Sequence, residues 1–143
     1  MKSLTLSYSS ATVRDLNDMR EFLESAILNL GGNDDVAGDL VLALNEAVTN
    51  SLLHGYHEQS GAITVAVEAD GGDLWVRLTD DAPPFDPTAV PPPDIYRPLE
   101  ERPLGGLGVH MMRQLADELT YRATDDHRNE LTFVKRGVLS PAS

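Results

Sequence analysis

The chain has 143 residues, and its 11 lysine and arginine residues against 23 aspartate and glutamate residues give a formal net charge of -12 at pH 7. This length suits one domain that buries a core without disulfides or a structural metal. The absence of cysteine excludes disulfides, thiol nucleophiles and cysteine-based zinc sites, and it favours the cytoplasm. The acidic excess disfavours binding to nucleic acid through clustered basic residues. We therefore predict a single domain over residues 1–143 that does not bind nucleic acid.

The N-terminal third of the chain is predicted to form one strand and two helices. Residues 1–8 alternate between apolar and polar side chains, which predicts a strand and not a signal peptide or a membrane-spanning helix. The apolar residues of segment 15–29 recur at helical spacing, with Thr12 as the candidate cap and glycines at the end. A second helix is predicted from about residue 35 to about residue 56.

The remainder is predicted to form two hairpins, a long loop and a third helix. The strands pair as antiparallel hairpins because each alternating pair is joined by turn formers. They are predicted at residues 62–68, 74–80, 119–123 and 130–135. A proline-rich lid loop is expected at about 81–104, a helix at 109–118 behind a glycine cluster, and a frayed tail at 137–143.

The order of these elements predicts the fold class. We expect an α+β fold, a two-layer α/β sandwich whose mixed, mostly antiparallel sheet is covered on one face by about three helices.

Three polar residues of the second predicted helix, Glu46, Asn50 and His54, are spaced by four and share one face. An asparagine oxygen can ligate Mg2+ without adding charge beside a triphosphate. A carboxylate one turn earlier can orient or deprotonate a hydroxyl group or water near a transferred phosphoryl group. The alternative is an ordinary amphipathic helix with polar residues outside.

Asp80 ends a predicted strand and could accept a hydrogen bond from an exocyclic amine such as that of adenine. It could equally be a turn aspartate. Phe85 follows two prolines and either shields such a pocket or anchors the loop to the core.

The glycine cluster of residues 105–108 offers backbone N–H groups at the start of a helix, where an anion is favoured. It is not a Walker loop, because the Gly-Lys-Ser/Thr ending is missing. It is not a dinucleotide fingerprint either, because no parallel βαβ unit surrounds it. These observations point to a different nucleotide-binding fold.

Taken in order, three segments of the chain resemble the boxes of the Bergerat-fold ATPases, the superfamily of gyrase, chaperone, histidine kinase and mismatch-repair ATPase domains. More narrowly, they resemble the bacterial anti-sigma-factor serine/threonine kinases. The segments are Glu46-Ala47-Val48-Thr49-Asn50 with His54-Gly55-Tyr56, then Asp80-Asp81-Ala82-Pro83-Pro84-Phe85-Asp86-Pro87, then Gly105-Gly106-Leu107-Gly108. The resemblance runs from about residue 4 to about residue 135.

The resemblance implies ATP and Mg2+ as cofactors and a role for individual residues. Asn50 would hold Mg2+, Glu46 would be the general base for a protein serine, and Asp80 would read the adenine amine. Gly106 and Gly108 would bracket the phosphates. The residues predicted at the nucleotide are Asn50, His54, Asp80, Ala82, Phe85, Gly105, Gly106, Leu107, Gly108, Val109 and Asn129.

Two positions depart from the pattern of the superfamily. Ala82 stands where the adenine box has glycine, and Asn129 is the nearest candidate for a threonine that often lies near adenine on a late strand. Arg102, in the loop before the glycines, is a candidate for neutralising the γ-phosphate, or else it keeps the loop soluble.

The resemblance also implies an activity and partners. Members of the family phosphorylate a small anti-sigma-factor antagonist protein on serine or threonine, bind a sigma factor, and form homodimers. We therefore predict a cytoplasmic, partner-switching protein kinase that has no membrane segment. The alternative is a binding module that uses ATP to order the lid, without catalysis, and whose client is not a sigma factor.

Overall fold

The computed structural model describes residues 2–52, 56, 61–84, 86, 88, 106–126 and 128–140. Five strands and three helices occupy most of this part of the chain. In chain order they are β1 (Lys2–Ala11), α1 (Leu16–Asn29), α2 (Asp34–Asn50), β2 (Gly61–Asp70), β3 (Asp73–Asp80), α3 (Gly106–Leu115), β4 (Glu118–Ala123) and β5 (Asn129–Lys135). A short 3-10 turn, Val13–Asp15, precedes α1.

The five strands form one sheet in the order β1-β2-β3-β5-β4, and every pairing in it is antiparallel. The register places Asp80, the last residue of β3, directly opposite Asn129, the first residue of β5. A buried polar pair therefore lies where two neighbouring inner strands, β3 and β5, meet the loops.

The core lies between the helices and one face of the sheet. Strand residues at every second position point into it, as Ile63, Val65 and Val67 do on β2, and all three are fully buried. Phe133 on β5 is also fully buried. The predicted α+β sandwich is confirmed. No helix in the described part of the chain is long and apolar enough to cross a membrane.

Side-chain caps fix where the helices begin. Thr12 and Asp15 form a reciprocal capping box at the 3-10 turn that leads into α1, and the Asn33 side chain accepts a hydrogen bond from Val36 N at 2.9 Å at the start of α2. α1 ends at a turn where Gly31 adopts a φ of 104°, which side chains with a Cβ rarely tolerate.

The structure differs from the sequence prediction at several boundaries. α2 ends at Asn50, and residues 51 and 52 continue it as a π turn in which Tyr56 N donates to Ser51 O at 2.8 Å. α3 begins at Gly106, within the glycine cluster. α3 ends at Leu115 and not at residue 118, because Glu118 pairs with Val134 and opens β4. Asn129 pairs with Ala123 and opens β5 although it is polar.

Residues 137–140 do not form the predicted frayed tail. Val138 N and Leu139 N both donate to Gly72 O, and Ser140 N donates to Gly31 O at 2.9 Å. The two apolar side chains, Val138 and Leu139, pack against the core. This segment therefore ties the β2–β3 turn to the α1–α2 turn.

Candidate functional site

A cavity opens between the end of α2, the start of β5 and the facing side of α3. The space inside it is about 40 Å³, which is below the range of small-molecule sites, so a ligand would have to extend through its open mouth. Its polar lining residues are Asn50, Ser51, Asp80, Tyr121 and Asn129. Its apolar lining residues are Ala47, Leu78, Met112 and Leu131. An apolar recess with a few convergent polar groups is suited to one end of a partly polar ligand.

Asp80 is the acidic group of the cavity, and only 8% of it is exposed. Its Oδ1 accepts hydrogen bonds from Asn129 Nδ2 at 2.8 Å and from Ala82 N at 3.1 Å. Its Oδ2 accepts one from Ser51 Oγ at 2.7 Å. An ionised carboxylate has about four acceptor positions. Asp80 is therefore fixed in orientation while its Oδ2 keeps one acceptor position for a further donor.

Asn129 holds Asp80 and the loop that follows it. Its Nδ2 donates to Asp80 Oδ1, to Ala82 O at 2.9 Å and to Pro83 O at 3.3 Å, while its Oδ1 accepts from Tyr121 OH at 2.5 Å. With three acceptors around its amide nitrogen and a donor on its oxygen, the amide is committed to protein contacts.

Asn50 and Glu46 lie on α2 as the spacing by four predicts. Asn50 is half-buried and lines the cavity, and its side chain makes no hydrogen bond in the described part of the chain. Glu46 is half-buried one turn earlier and is not among the lining residues. The amide of Asn50 is therefore available to a ligand, and Glu46 lies next to the cavity.

The loop after β3 is held from two further directions. Asp81 pairs its carboxylate with Arg128 Nε at 3.0 Å, an exposed ion pair of the kind worth about 0–1 kcal/mol. Its backbone N donates to Tyr56 OH at 2.7 Å, and the same hydroxyl donates to Ala62 O at 2.8 Å. Burial raises the pKa of Tyr56, and the nearby carboxylates of Asp80 and Asp81 raise it further. The hydrogen bond from the Asp81 N–H lowers this pKa, but by less than burial raises it. The hydroxyl therefore stays protonated at neutral pH.

The remaining predicted residues fall in different places. Ala82 is 4% exposed beside Asp80, whereas Val109 is 1% exposed and packs in the core without lining the cavity. Gly106, Leu107 and Gly108 form the first turn of α3. The predictions for His54, Phe85, Arg102 and Gly105 lie outside the described residues.

Sequence reasoning did not identify Ser51, Met112 or Tyr121 as part of the site. Tyr121 could have been found, because strand alternation places it on the same face of β4 as the core residue Leu119. Ser51 adjoins Asn50, but its contact with Asp80 spans 29 residues of sequence, and no local pattern reveals it.

Comparison of the sequence with known proteins identifies relatives of this chain. The sequence profile of the histidine kinase-like ATPase domain matches residues 9–135. A serine-protein kinase RsbW of Bacillus cereus is 33% identical over 90 residues, which is 60% of this chain and 56% of that protein. One of Bacillus anthracis is 32% identical over the same shares. The matched region thus spans just over half the length of these relatives.

Solved structures show the same fold. The structure of the RsbU and RsbW domains of Rv1364c from Mycobacterium tuberculosis matches with a TM-score of 0.67 at 21% identity, over 99% of this chain and 34% of that one. The Acinetobacter baumannii histidine kinase AdeS matches with a TM-score of 0.51 at 10% identity, over 96% of this chain and 69% of that one. The sheet and helices thus form the Bergerat-type fold that the sequence predicted. With the profile covering most of its length, the chain belongs to the histidine kinase-like ATPase domain family.

Proposed function

We propose that this chain is a Mg-ATP-dependent protein serine/threonine kinase and anti-sigma factor that phosphorylates a small antagonist protein. The observation that carries the proposal is that Asn50 and Asp80, the two residues expected to hold opposite ends of the nucleotide, line one cavity. The similarity to proteins named serine-protein kinase RsbW favours serine or threonine as the acceptor.

The cavity residues fit an adenine nucleotide. The acceptor position left on Asp80 Oδ2 would receive the exocyclic amine of adenine, with Leu78, Met112 and Leu131 against the ring faces. The free amide oxygen of Asn50 would be one ligand of Mg2+. No cluster of three or more histidine or acidic side chains that could hold a metal occurs among the described residues, so phosphate oxygens and water would complete the coordination. Bound Mg2+ would neutralise charge on the phosphates.

Glu46 is the proposed general base. It lies one helical turn before Asn50, on the same side of α2, and it would accept the proton of a hydroxyl that a partner protein presents beside the cavity. The acceptor hydroxyl would lose its proton to Glu46 as its oxygen attacks the γ-phosphorus and ADP leaves. Gly106 and Gly108, at the start of α3, would present backbone N–H groups to the phosphates, and Arg102 would neutralise the γ-phosphate.

The wider assignment follows from the same relatives. We propose that the chain acts in the cytoplasm as a homodimer, that it switches between an antagonist protein and a sigma factor or other regulatory client, and that it forms one domain over residues 1–143.

The test is transfer of radiolabel from γ-labelled ATP, with Mg2+, to a purified candidate antagonist protein from the same organism, with the modified residue mapped by mass spectrometry. The expected product is phosphoserine or phosphothreonine. Glu46→Gln should slow transfer by about 100-fold or more, because a general base contributes at least that factor. Glu24→Gln, the same change on the exposed face of α1, should leave the rate unchanged. Equal rates for Glu46→Gln and the unmodified chain would remove Glu46 as the base.

The position of Glu46 outside the cavity lining favours one alternative, a non-catalytic module that binds ATP in order to regulate a partner that is not a sigma factor. Calorimetry separates the two functions. Tight Mg-ATP binding with no transfer to any candidate acceptor would support the module, whereas transfer that depends on Glu46 would support the kinase.

A further inference from the structure

We propose that Tyr56 is a positioning residue that sets the location of Asp80 and thereby makes the cavity selective for a purine with a 6-amino group. The inference rests on the proposed nucleotide function and adds to it a residue that never touches the base.

The hydroxyl of Tyr56 links the start of β2 to the residue that follows β3. It accepts from Asp81 N at 2.7 Å and donates to Ala62 O at 2.8 Å. Asp81 immediately follows Asp80, so this bond fixes the peptide unit at the carboxyl end of the residue proposed to read the base. Ala62 is the second residue of β2, which is itself paired with β3. The bond to Ala62 therefore anchors the hydroxyl to the sheet.

The backbone of Tyr56 is joined to the other wall of the cavity. Tyr56 N donates to Ser51 O in the π turn after α2, and Ser51 Oγ donates to Asp80 Oδ2 at 2.7 Å. The contacts form a closed ring from Ser51 through Asp80 and Asp81 to Tyr56 and back to Ser51. This ring sets the spacing between the helix that carries Asn50 and the strand that carries Asp80.

The aromatic ring of Tyr56 packs against Gly61, which has no side chain to obstruct it. A Cβ added at Gly61 would lie 2.2–2.4 Å from three atoms of the ring, far closer than any real contact. Glycine at position 61 therefore lets the ring lie flat against the start of β2. This contact is independent of the hydroxyl bonds and offers a second way to move the same side chain.

The consequence concerns recognition of the base. Asp80 Oδ2 can accept a hydrogen bond from the base only if it lies within hydrogen-bond distance of the amine. A shift of Asp80 by a few tenths of an ångström weakens this hydrogen bond. ATP presents an amine there, whereas inosine triphosphate presents a carbonyl oxygen that a carboxylate repels. Loss of the Tyr56 hydroxyl should therefore weaken ATP binding and leave inosine triphosphate binding nearly unchanged.

The experiment compares the affinities of Mg-ATP and Mg-inosine triphosphate by calorimetry for the full chain and for Tyr56→Phe. We expect the unmodified chain to prefer ATP, and Tyr56→Phe to bind ATP about 5- to 10-fold more weakly with less than a twofold change for inosine triphosphate, as expected for one weakened hydrogen bond. The matched control is Tyr8→Phe on β1, which removes a hydroxyl that makes no hydrogen bond within the described part of the chain. It should change neither affinity.

Gly61→Ala supplies a second variant, since it displaces the ring while keeping the hydroxyl, and it should lower the preference for ATP in the same direction. If Tyr56→Phe leaves the affinities for both nucleotides unchanged, or lowers both affinities by the same factor, the proposed positioning role of Tyr56 is wrong while the proposed nucleotide function stands. If the unmodified chain binds neither nucleotide, the proposed function itself fails and the positioning role fails with it.

Discussion

Replacing Asn129 by aspartate would put a second carboxylate into a buried polar contact of the site. Asn129 Nδ2 donates to Asp80 Oδ1 at 2.8 Å, and both residues are 8% exposed. Asparagine and aspartate have nearly the same shape, so the change alters charge and donors while hardly altering packing. Asp80 would lose a donor and gain a like charge at the same position.

The magnitude follows from the distance. At an effective dielectric constant of about 20, two unit charges 2.8 Å apart repel by about 6 kcal/mol, and relaxation to about 4 Å leaves about 4 kcal/mol. The pair avoids this cost by sharing one proton, which raises the pKa of one carboxyl above that of an unfolded aspartate. A raised pKa in the folded state makes the variant relatively more stable at low pH, and this relative stability is lost as the pH rises through the raised value.

Urea denaturation of Asn129→Asp and the unmodified chain, at a series of pH values between 5 and 8, measures this difference. We expect the variant to be less stable by about 4 kcal/mol at pH 8, with the gap narrowing steadily toward pH 5. The control is Asn33→Asp, the same change at the exposed cap of α2, where aspartate caps as well as asparagine does. A difference for Asn129→Asp that stays below about 1 kcal/mol and does not vary with pH would refute the arrangement around Asp80.

Three further predictions concern the rest of the described chain. Gly38→Ala, in an exposed helical position with open space around it, should raise the free energy of unfolding by up to about 1 kcal/mol. Gly31→Ala should lower the free energy of unfolding by about 1–2 kcal/mol, because the φ of Gly31 is 104°, and urea denaturation of both variants measures the two changes. Phe133→Ala should lower the free energy of unfolding by about 3–5 kcal/mol, because the side chain is fully buried, and a loss below about 1 kcal/mol would contradict its central place in the core. The Gly137 N–H and the Arg136 guanidinium lower the pKa of Asp73 below its ordinary 3.8, so the contribution of Asp73 to stability is present above pH 3.8 and is lost as the pH falls through the lowered pKa. An NMR titration should show the lowered pKa of Asp73, and Arg136→Gln should move this pKa back toward 3.8.

The sequence predicts those features that a local pattern encodes. Alternation along Ile63, Val65 and Val67 predicts both the strand and its buried face, and the Thr12 cap predicts the start of the first helical segment. The spacing of Glu46 and Asn50 predicts that they share a side of α2, which the structure confirms.

Features that depend on contacts between distant residues could not be predicted in this way. The apolar pattern of the last strand begins at Leu131 and predicts that Asn129 lies in the preceding turn. Its bond to Asp80, across 49 residues, instead accompanies its place in the sheet. Val138 and Leu139 are apolar and could have suggested that the tail is packed, but their partner, Gly72, lies in a turn far away in sequence. No local pattern marks Asp80, Asn129 or Tyr121 as a site residue. The site exists because the fold brings the three side chains into contact.

The tie between residue 140 and the α1–α2 turn gives a practical position for an optical reporter. Ser140 is bonded to Gly31, where α2 is about to begin, and the 17 residues of α2 span about 25 Å before reaching the cavity at Asn50. The chain contains no cysteine, so Ser140→Cys would introduce its sole thiol. A dye coupled there would be held at a fixed end of the molecule, remote from the cavity yet close enough for energy transfer to a fluorescent nucleotide.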